Sequence, residues 1–304
     1  MTSASKSHSI PATPSSKSPP IASNPSLQSY YSTLESRVGY WLLLGNTRHF
    51  GYYEPGTWWP FPLTRALQAM EEQLYLSLSL PAGASVLDAG CGAGRVAIYL
   101  AKRGGLNVQG IDVVERHVEL AQRYIAAQAP NIAHQVNVRK GDFHHLEGFD
   151  DQSFDGVYTM ETLVHATDPR QVLSEFFRVL KPGGMIAEFE YEHLPFSAMS
   201  DASRTALTMM NVNASMPAYQ SFEEGTIQSL LEEVGFVDVV VKDLSKNCLP
   251  MLRLFAILAF LPYLIVKLFG LERTFTNTVA GFECYWYNGF GRYVSVKAKR
   301  PKSQ

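Results

Sequence analysis

The run VLDAGCGAGR, residues 86–95, indicates the architecture of the chain, because it passes from a short apolar strand into a glycine-rich turn and then into a helix. Glycine permits the tight turn and lets a ligand approach the backbone. The turn fits a dinucleotide fingerprint only in a loose register, and the phosphate-cradling GxxxxGK[ST] motif is absent. An acid at Asp88, just before the turn, would repel a pyrophosphate and suits a cationic or amine-bearing ligand.

Outward from this turn, short β runs alternate with helical segments, which is typical of a parallel sheet covered by helices on both faces. The strands are predicted at 85–89, 108–113, 136–140, 154–160, 185–191, 236–242 and 292–299. The intervening helices are predicted at 95–103, 115–128, 169–180 and 226–234. We therefore predict an α/β fold with a doubly wound, mostly parallel seven-stranded sheet that ends in an antiparallel hairpin.

Composition divides the chain into five predicted segments. Residues 1–29 contain ten Ser and five Pro and are predicted to be a disordered tail without a secretory signal. An aromatic helical cap follows at 30–80, and the ligand-binding core is predicted at 81–244. An apolar helical insertion spans 245–291, and residues 292–304 form the last strand and its tail.

Charge and cysteine content exclude several classes of protein. The net charge of −2 gives no general attraction to nucleic acid, and we expect no nucleic-acid partner. The cysteines at 91, 248 and 284 are far apart, which favours a reducing compartment and a cytoplasmic location. No metal site is expected, because His144 and His145 have no further ligand at suitable spacing and are interpreted as surface residues.

The segment 249–271 is unusually apolar, but its uncharged run from Leu254 to Val266 has only 13 residues. A membrane span needs about 20 residues, and Pro262 is expected to break or kink the helix. Three interpretations remain open: a helical pair packed on the fold, a lid over a lipophilic pocket, or peripheral contact with an intracellular membrane.

Acidic residues follow the second and third predicted strands. Asp112 ends the second strand, and a carboxylate there can accept hydrogen bonds from both hydroxyls of a ribose. After the third strand, Asp142 can accept the exocyclic amine of an adenine and Phe143 can pack on its ring. Together with Asp88, these residues are expected at the carboxyl edge of the sheet, where open α/β folds bind ligands.

The segments LDAGCGAGR, GID, GDF and RVLKPGG resemble the motifs of class I S-adenosylmethionine-dependent methyltransferases. The resemblance implies a Rossmann-like fold and S-adenosyl-L-methionine as the cofactor. Its methionyl part is implied near Asp88 and the glycine turn, its ribose on Asp112 and its adenine near Asp142 and Phe143. The full implied cofactor site is Asp88, Gly90, Gly92, Gly94, Asp112, Asp142, Phe143, Met160 and Tyr31.

Two further segments are similar to sterol C-methyltransferases, and tocopherol-type methyltransferases share much of the pattern. Residues 160–166, METLVHA, resemble the sterol enzymes' E-x-x-x-H-A motif, and the stretch 189–191 stands where that family has an aromatic residue, Glu and Trp. The Tyr30-Tyr31 pair and His49-Phe50 resemble the family's N-terminal aromatic segment. The substrate pocket is therefore predicted to include Tyr30, His49, Phe50 and Tyr191.

Methyl transfer from a sulfonium depends mainly on positioning, and a base is needed where a proton must leave. The candidate bases are Glu161, His165 and Glu190. We predict an enzyme that methylates a lipophilic small molecule, such as a sterol, terpenoid, quinone or secondary metabolite, with carbon as one acceptor atom. The alternatives are methylation of a more polar metabolite at O, N or S, and a cofactor-binding regulator without catalysis. The oligomeric state stays open.

Overall fold

A seven-stranded mixed sheet forms the centre of the fold in the computed structural model, which describes residues 25–128, 130–286 and 291–302. The strands are β1 Ser85–Ala89, β2 Asn107–Asp112, β3 Val136–Lys140, β4 Phe154–Met160, β5 Leu180–Glu192, β6 Val237–Asp243 and β7 Arg292–Lys299. Their order is β3-β2-β1-β4-β5-β7-β6. The first five strands are parallel, and β7 is antiparallel to both β5 and β6. The predicted fold class, including the late hairpin, is confirmed.

Helices cover both faces of this sheet, and further helices lie beyond the carboxyl ends of its strands. They are α1 Pro25–Ser32, α2 Leu34–Leu44, α3 Leu63–Leu78, α4 Arg95–Gly104, α5 Glu115–Gln128, α6 Pro169–Val179, α7 Asp201–Asn213, α8 Thr226–Val234, α9 Ser245–Phe269 and α10 Thr276–Trp286. Adjacent residues of β1 show the layering: Val86 packs with the core beneath α3 and α4, and Leu87 packs with the core beneath α6 and α8.

Some boundaries differ from the predictions. Helix α1 begins at Pro25, inside the tail predicted over 1–29, and residues 1–24 lie outside the described residues. Strand β5 begins at Leu180 and not at Met185, because Leu180 pairs with Phe154 across a register shift before regular pairing resumes at Gly156. Helix α7 was not predicted from the sequence.

Pro262 does not break α9, which continues through both Pro250 and Pro262, and the alternative of a kink at Pro262 stays a prediction. Helix α9 packs along α10, where the Tyr263 ring, next to Pro262, stacks on the Phe282 ring at 4.4 Å between centroids. By length and composition alone, α9 is the one helix among the described residues that qualifies as a membrane span, a criterion that core helices also meet. Contact with a membrane stays a prediction.

Glu35 is one of the side chains that join the N-terminal cap to the insertion. Glu35 of α2 accepts hydrogen bonds from the backbone N–H groups of Asn277 and Thr278 at 3.1 and 2.6 Å, and from both of their side chains. These N–H groups belong to the first turn of α10, where no intrahelical acceptor exists. Glu35 therefore holds α10 against the cap across more than two hundred residues of sequence.

We expect Glu35→Ala to lower the free energy of unfolding by roughly 1–3 kcal/mol, because it leaves the first turn of α10 without its acceptors. Chemical denaturation measures this change. The matched control is Glu119→Ala, which removes an exposed carboxylate paired only loosely with Arg123 and is expected to change stability by less than about 0.5 kcal/mol. Equal effects of the two substitutions would contradict the proposed role of Glu35.

Candidate active site

The carboxyl ends of the central strands open into a cavity of about 1090 Å³. Ligand pockets are typically about 300–1,000 Å³, so this volume can hold a cofactor together with a second molecule. Most of the predicted site residues line it: Tyr30, Tyr31, His49, Phe50, Asp88, Gly90, Gly92, Asp112, Phe143, Met160, Glu161, His165 and Tyr191. Gly94, Asp142 and Glu190 are not among the lining residues, and their predicted roles stay predictions.

The glycine turn has the shape that its sequence predicts. Gly90 has φ +102°, and a β-carbon at this position would overlap the side chain of Thr162. The N–H groups of Gly90 and Cys91 donate to the carbonyl of Ile111 at 2.8 and 2.9 Å, which ties the turn to β2. Gly94 faces the other way and lets α4 approach Ala121 of α5, so it supports packing and not ligand contact.

Asp112 is held in place by the backbone around it. Its Oδ2 accepts from the Gly92 N–H at 2.8 Å, and its Oδ1 accepts from the Val114 N–H at 2.8 Å. Burial raises the pKa of Asp112, but His117 and these N–H groups outweigh burial, so the pKa lies below its usual value. Oδ2 accepts one hydrogen bond and retains a lone pair for a ribose hydroxyl, whereas Oδ1 also lies 3.3 Å from the Nδ1 of His117. His117, which lines the cavity beside it, was missed because its helical position shows no motif.

Asp88 has a different environment. It is buried, and its Oδ2 has no hydrogen-bond partner among the described residues. Burial raises the pKa of Asp88 to about 7, and the negative charge of Asp112 adds to this effect. A buried carboxylate with a free oxygen fits a cationic ligand group, as the sequence predicts, because such a group would stabilise its charged form.

The residues after β3 separate into two roles. Phe143 is buried and lines the cavity, as expected for a side chain that packs on an adenine. Asp142 instead accepts hydrogen bonds from the backbone N–H and the Nδ1 of His144 at 2.9 and 2.8 Å. His144 is buried, which corrects its predicted surface position, and its Nε2 accepts from the Thr167 N–H at 3.1 Å. His145 is exposed, as predicted.

Glu161 is aimed into the cavity by an unusual backbone. Its φ of +54° is rare for a residue with a side chain and is a strain that functional sites retain. One carboxylate oxygen accepts from the Phe50 N–H at 2.6 Å, and the other accepts a hydrogen bond from the Tyr191 hydroxyl. Burial raises the pKa of Glu161, while the Tyr191 hydrogen bond opposes this shift.

Both ring nitrogens of His165 have hydrogen-bond partners. Its Nδ1–H donates to the Ser215 carbonyl at 2.8 Å, which leaves Nε2 to accept from the Tyr31 hydroxyl at 2.9 Å. Burial lowers the pKa of His165 to about 4, so the ring is neutral near pH 7. Both ring nitrogens are therefore occupied in this arrangement.

Glu190 is fully buried behind the cavity wall. Its oxygens accept from the Val164 and Tyr191 N–H groups, both at 3.1 Å. Burial keeps the pKa of Glu190 well above its usual value. Its side chain supports the loop after β4 and is not among the lining residues, whereas the next residue of β5, Tyr191, points to the opposite face of the strand and lines the cavity.

The part of the cavity away from the glycine turn is an apolar chamber, and only some of its lining residues were predicted from the sequence. Residues of β7 and of the helices and turns after β5 add aromatic and sulfur-containing walls: Met210, Tyr219, Phe255, Cys284 and Tyr293. Of the aromatic cap residues, Tyr40 also lines the cavity, whereas Trp41, Trp58 and Trp59 are more than half exposed. Aromatic residues in the N-terminal segment were visible in the sequence, but their orientation was not.

A family model and the similar sequences indicate the same protein family. A methyltransferase-domain family model matches residues 87–187. The chain is 44% identical, over 92% of its own length and 96% of the relative's, to the S-adenosyl-L-methionine-dependent Diels-Alderase iccD of Talaromyces variabilis. It is 37% identical to the sterol 24-C-methyltransferase erg6 of Aspergillus fumigatus over 48% of this chain and 37% of that enzyme. The fold matches the crystal structure of the [4+2]-cyclase SpnF with a TM-score of 0.66, at 22% identity over 89% of this chain and 98% of that chain.

The raised pKa of Asp88 leads us to expect that cofactor affinity depends on pH. Its carboxyl group is charged above its pKa of about 7, so S-adenosylmethionine should bind more weakly as the pH falls below 7, by up to about tenfold per pH unit. Isothermal titration calorimetry between about pH 5.5 and 7.5 measures this slope. Asp88→Asn should bind weakly and without the slope. An unchanged slope in this variant would assign the dependence to another group.

Proposed function

Because the chain belongs to the S-adenosylmethionine-dependent methyltransferase family, we propose that it binds this cofactor at the carboxyl edge of the sheet and catalyses an intramolecular [4+2] cycloaddition. The substrate class is a lipophilic, polyunsaturated small molecule that occupies the apolar chamber. Methyl transfer to a lipophilic small molecule is the second candidate. Both reactions use the same two-part cavity and differ in what the chamber must do chemically.

The observation that carries the proposal is similarity along nearly the whole chain. The relative named as an S-adenosyl-L-methionine-dependent Diels-Alderase aligns with 92% of this chain, including the cap and the insertion that build the chamber. The similarity to the sterol enzyme covers 48% of the chain. Since the substrate chamber depends on segments outside the shared core, the longer similarity is the better guide to the reaction.

The arrangement of the polar groups supports this choice. Among the described residues, the candidate bases Glu161 and His165 already accept hydrogen bonds from Tyr191 and Tyr31, and Glu190 does not line the chamber. A [4+2] cycloaddition replaces three π bonds by two σ bonds and one π bond, and it moves no proton and no net electron. The product is an isomer of the substrate, so the reaction needs no free base.

The chain contributes to such a reaction by shape and position. The rings of Phe50, Tyr191 and Tyr293 contact one another edge to face, with 5.6–6.0 Å between ring centroids. These rigid walls restrict a flexible polyene to folded conformations. Holding the diene and its partner close together removes much of the entropic barrier. When bound, S-adenosylmethionine supplies a fixed sulfonium charge and a transferable methyl group beside this chamber.

Methyl transfer is supported by different features. The methyltransferase-domain family model covers residues 87–187, about a third of the chain, and Asp88 and Asp112, which lie in that range, line the cavity. For a substrate that must lose a proton, Glu161 is the candidate base, because burial raises its pKa toward the range of a general base. Its hydrogen bonds to Phe50 and Tyr191 would have to rearrange first.

One experiment separates the two candidates. The purified protein is incubated with methyl-labelled S-adenosylmethionine and a lipophilic metabolite extract, and the products are analysed by mass spectrometry. Cycloaddition gives an unlabelled product of unchanged mass that has lost conjugated-diene absorbance. Methyl transfer gives a labelled product one methylene heavier, together with S-adenosylhomocysteine. Labelled product in stoichiometric amount, without isomerisation, would overturn the primary proposal.

Glu161→Gln gives a second test, because the amide keeps an acceptor for the Phe50 N–H but cannot act as a base. If the reaction is a cycloaddition, we expect turnover to stay within a few-fold of the unmodified enzyme. Loss of a required general base typically lowers turnover by about 10²–10⁴-fold. Steady-state kinetics measures the difference, and cofactor affinity measured by calorimetry is expected to be unchanged in either case.

A further inference from the structure

Arg48 places a positive charge in the cavity without an acid to balance it. It lies in the loop between α2 and α3, and its Nε and Nη1 are buried with no hydrogen-bond partner among the described residues. Its guanidinium carbon lies 4.9 Å from the ring centroid of Tyr31 and 4.5 Å from that of Tyr40. These rings fix the position of the guanidinium but accept none of its in-plane hydrogen bonds.

An unpaired buried guanidinium is costly unless an anion binds to it. Three acids lie in this region, Asp112, Glu161 and Glu35, and the oxygens of each already accept hydrogen bonds from other groups of the protein. The described residues include no carboxylate within ion-pair distance of Arg48. The geometry therefore requires that the balancing anion come from a ligand.

The location of Arg48 indicates which part of the cavity it serves. A β-carbon built on Gly92 would lie 3.5 Å from the Cδ of Arg48, so the side chain covers the glycine turn and not the apolar end of the chamber. The same cavity is lined by Asp88, whose Oδ2 is also buried and unpartnered. A guanidinium with two unpartnered nitrogens and a carboxyl group with one unpartnered oxygen thus lie around one turn, and this pair complements a ligand that carries both a carboxylate and a positive charge.

We infer that Arg48 binds the α-carboxylate of the cofactor, while Asp88 faces its positively charged groups. The planar guanidinium offers paired N–H donors that match a carboxylate, and the rings of Tyr31 and Tyr40 orient it before the ligand enters. This inference rests on the cofactor of the family and is independent of whether the bound cofactor serves cycloaddition or methyl transfer.

The test compares two ligands that differ only in the carboxylate: S-adenosylhomocysteine and its decarboxylated analogue, S-adenosyl-3-thiopropylamine. Isothermal titration calorimetry gives the affinity of each for the unmodified protein and for Arg48→Met, which keeps much of the apolar side chain between the rings. The unmodified protein is expected to prefer S-adenosylhomocysteine by about ten- to a hundredfold. In Arg48→Met the two ligands should bind with affinities within about twofold of each other.

Two further variants control for charge and folding. Arg116→Met removes an exposed guanidinium whose charge acts on the same region, and the full preference for S-adenosylhomocysteine should remain. Arg48→Lys keeps the charge but loses the paired donors, and an intermediate preference is expected. Circular dichroism and thermal unfolding establish that each variant folds, and Arg48→Lys provides the test if Arg48→Met does not.

Each other outcome would contradict the inference. If Arg48→Met keeps the full preference for S-adenosylhomocysteine, the carboxylate binds elsewhere. If affinity for both ligands falls equally, Arg48 acts only through the shape of the site. If cofactor affinity is unchanged while turnover is lost, Arg48 contacts the substrate. Failure of the proposed cycloaddition would leave these binding results unaffected, so the two proposals are tested separately.

Discussion

The position of Asp112 is the constraint on which the rest of the site depends. Its two oxygens hold the Gly92 N–H and the Val114 N–H, and so they join the glycine turn after β1 to the start of α5 after β2. Parallel pairing of β1 with β2 puts these turns side by side, and Asp112 fixes their spacing. Since the carboxylate is ionised and already ordered, little conformational freedom is lost when a ligand hydroxyl approaches it.

The second half of the cavity depends on contacts between segments that are distant in sequence. The Phe50 N–H donates to Glu161, and the Gly51 N–H lies 3.3 Å from the sulfur of Met251 in α9. Tyr53 and Asn247 exchange hydrogen bonds through their backbone and side-chain groups. These contacts join the N-terminal cap to the insertion between β6 and β7, and residues of both segments line the cavity.

This arrangement explains how one family can support different reactions. The glycine turn, Asp88 and Asp112 belong to strands β1 and β2 and to the turns that follow them. The chamber is built from the cap, α7, α9 and α10. In this chain the two candidate bases that line the cavity accept hydrogen bonds from neighbouring hydroxyls, Glu161 from Tyr191 and His165 from Tyr31. These occupied bases support the proposed cycloaddition, because that reaction moves no proton.

The sequence by itself determined the sheet, its late hairpin and the positions of Asp88, Asp112 and Glu161, because strand periodicity, glycine turns and acids at strand ends are local signals. It did not determine that Asp142 turns toward His144, that Glu190 lies behind the wall, or that α9 continues through Pro262. Nor did it reveal that Arg48 is unpaired. These properties depend on side-chain direction and on partners far away in the chain, and only the tertiary structure fixes them, since burial and pairing are properties of the packed molecule.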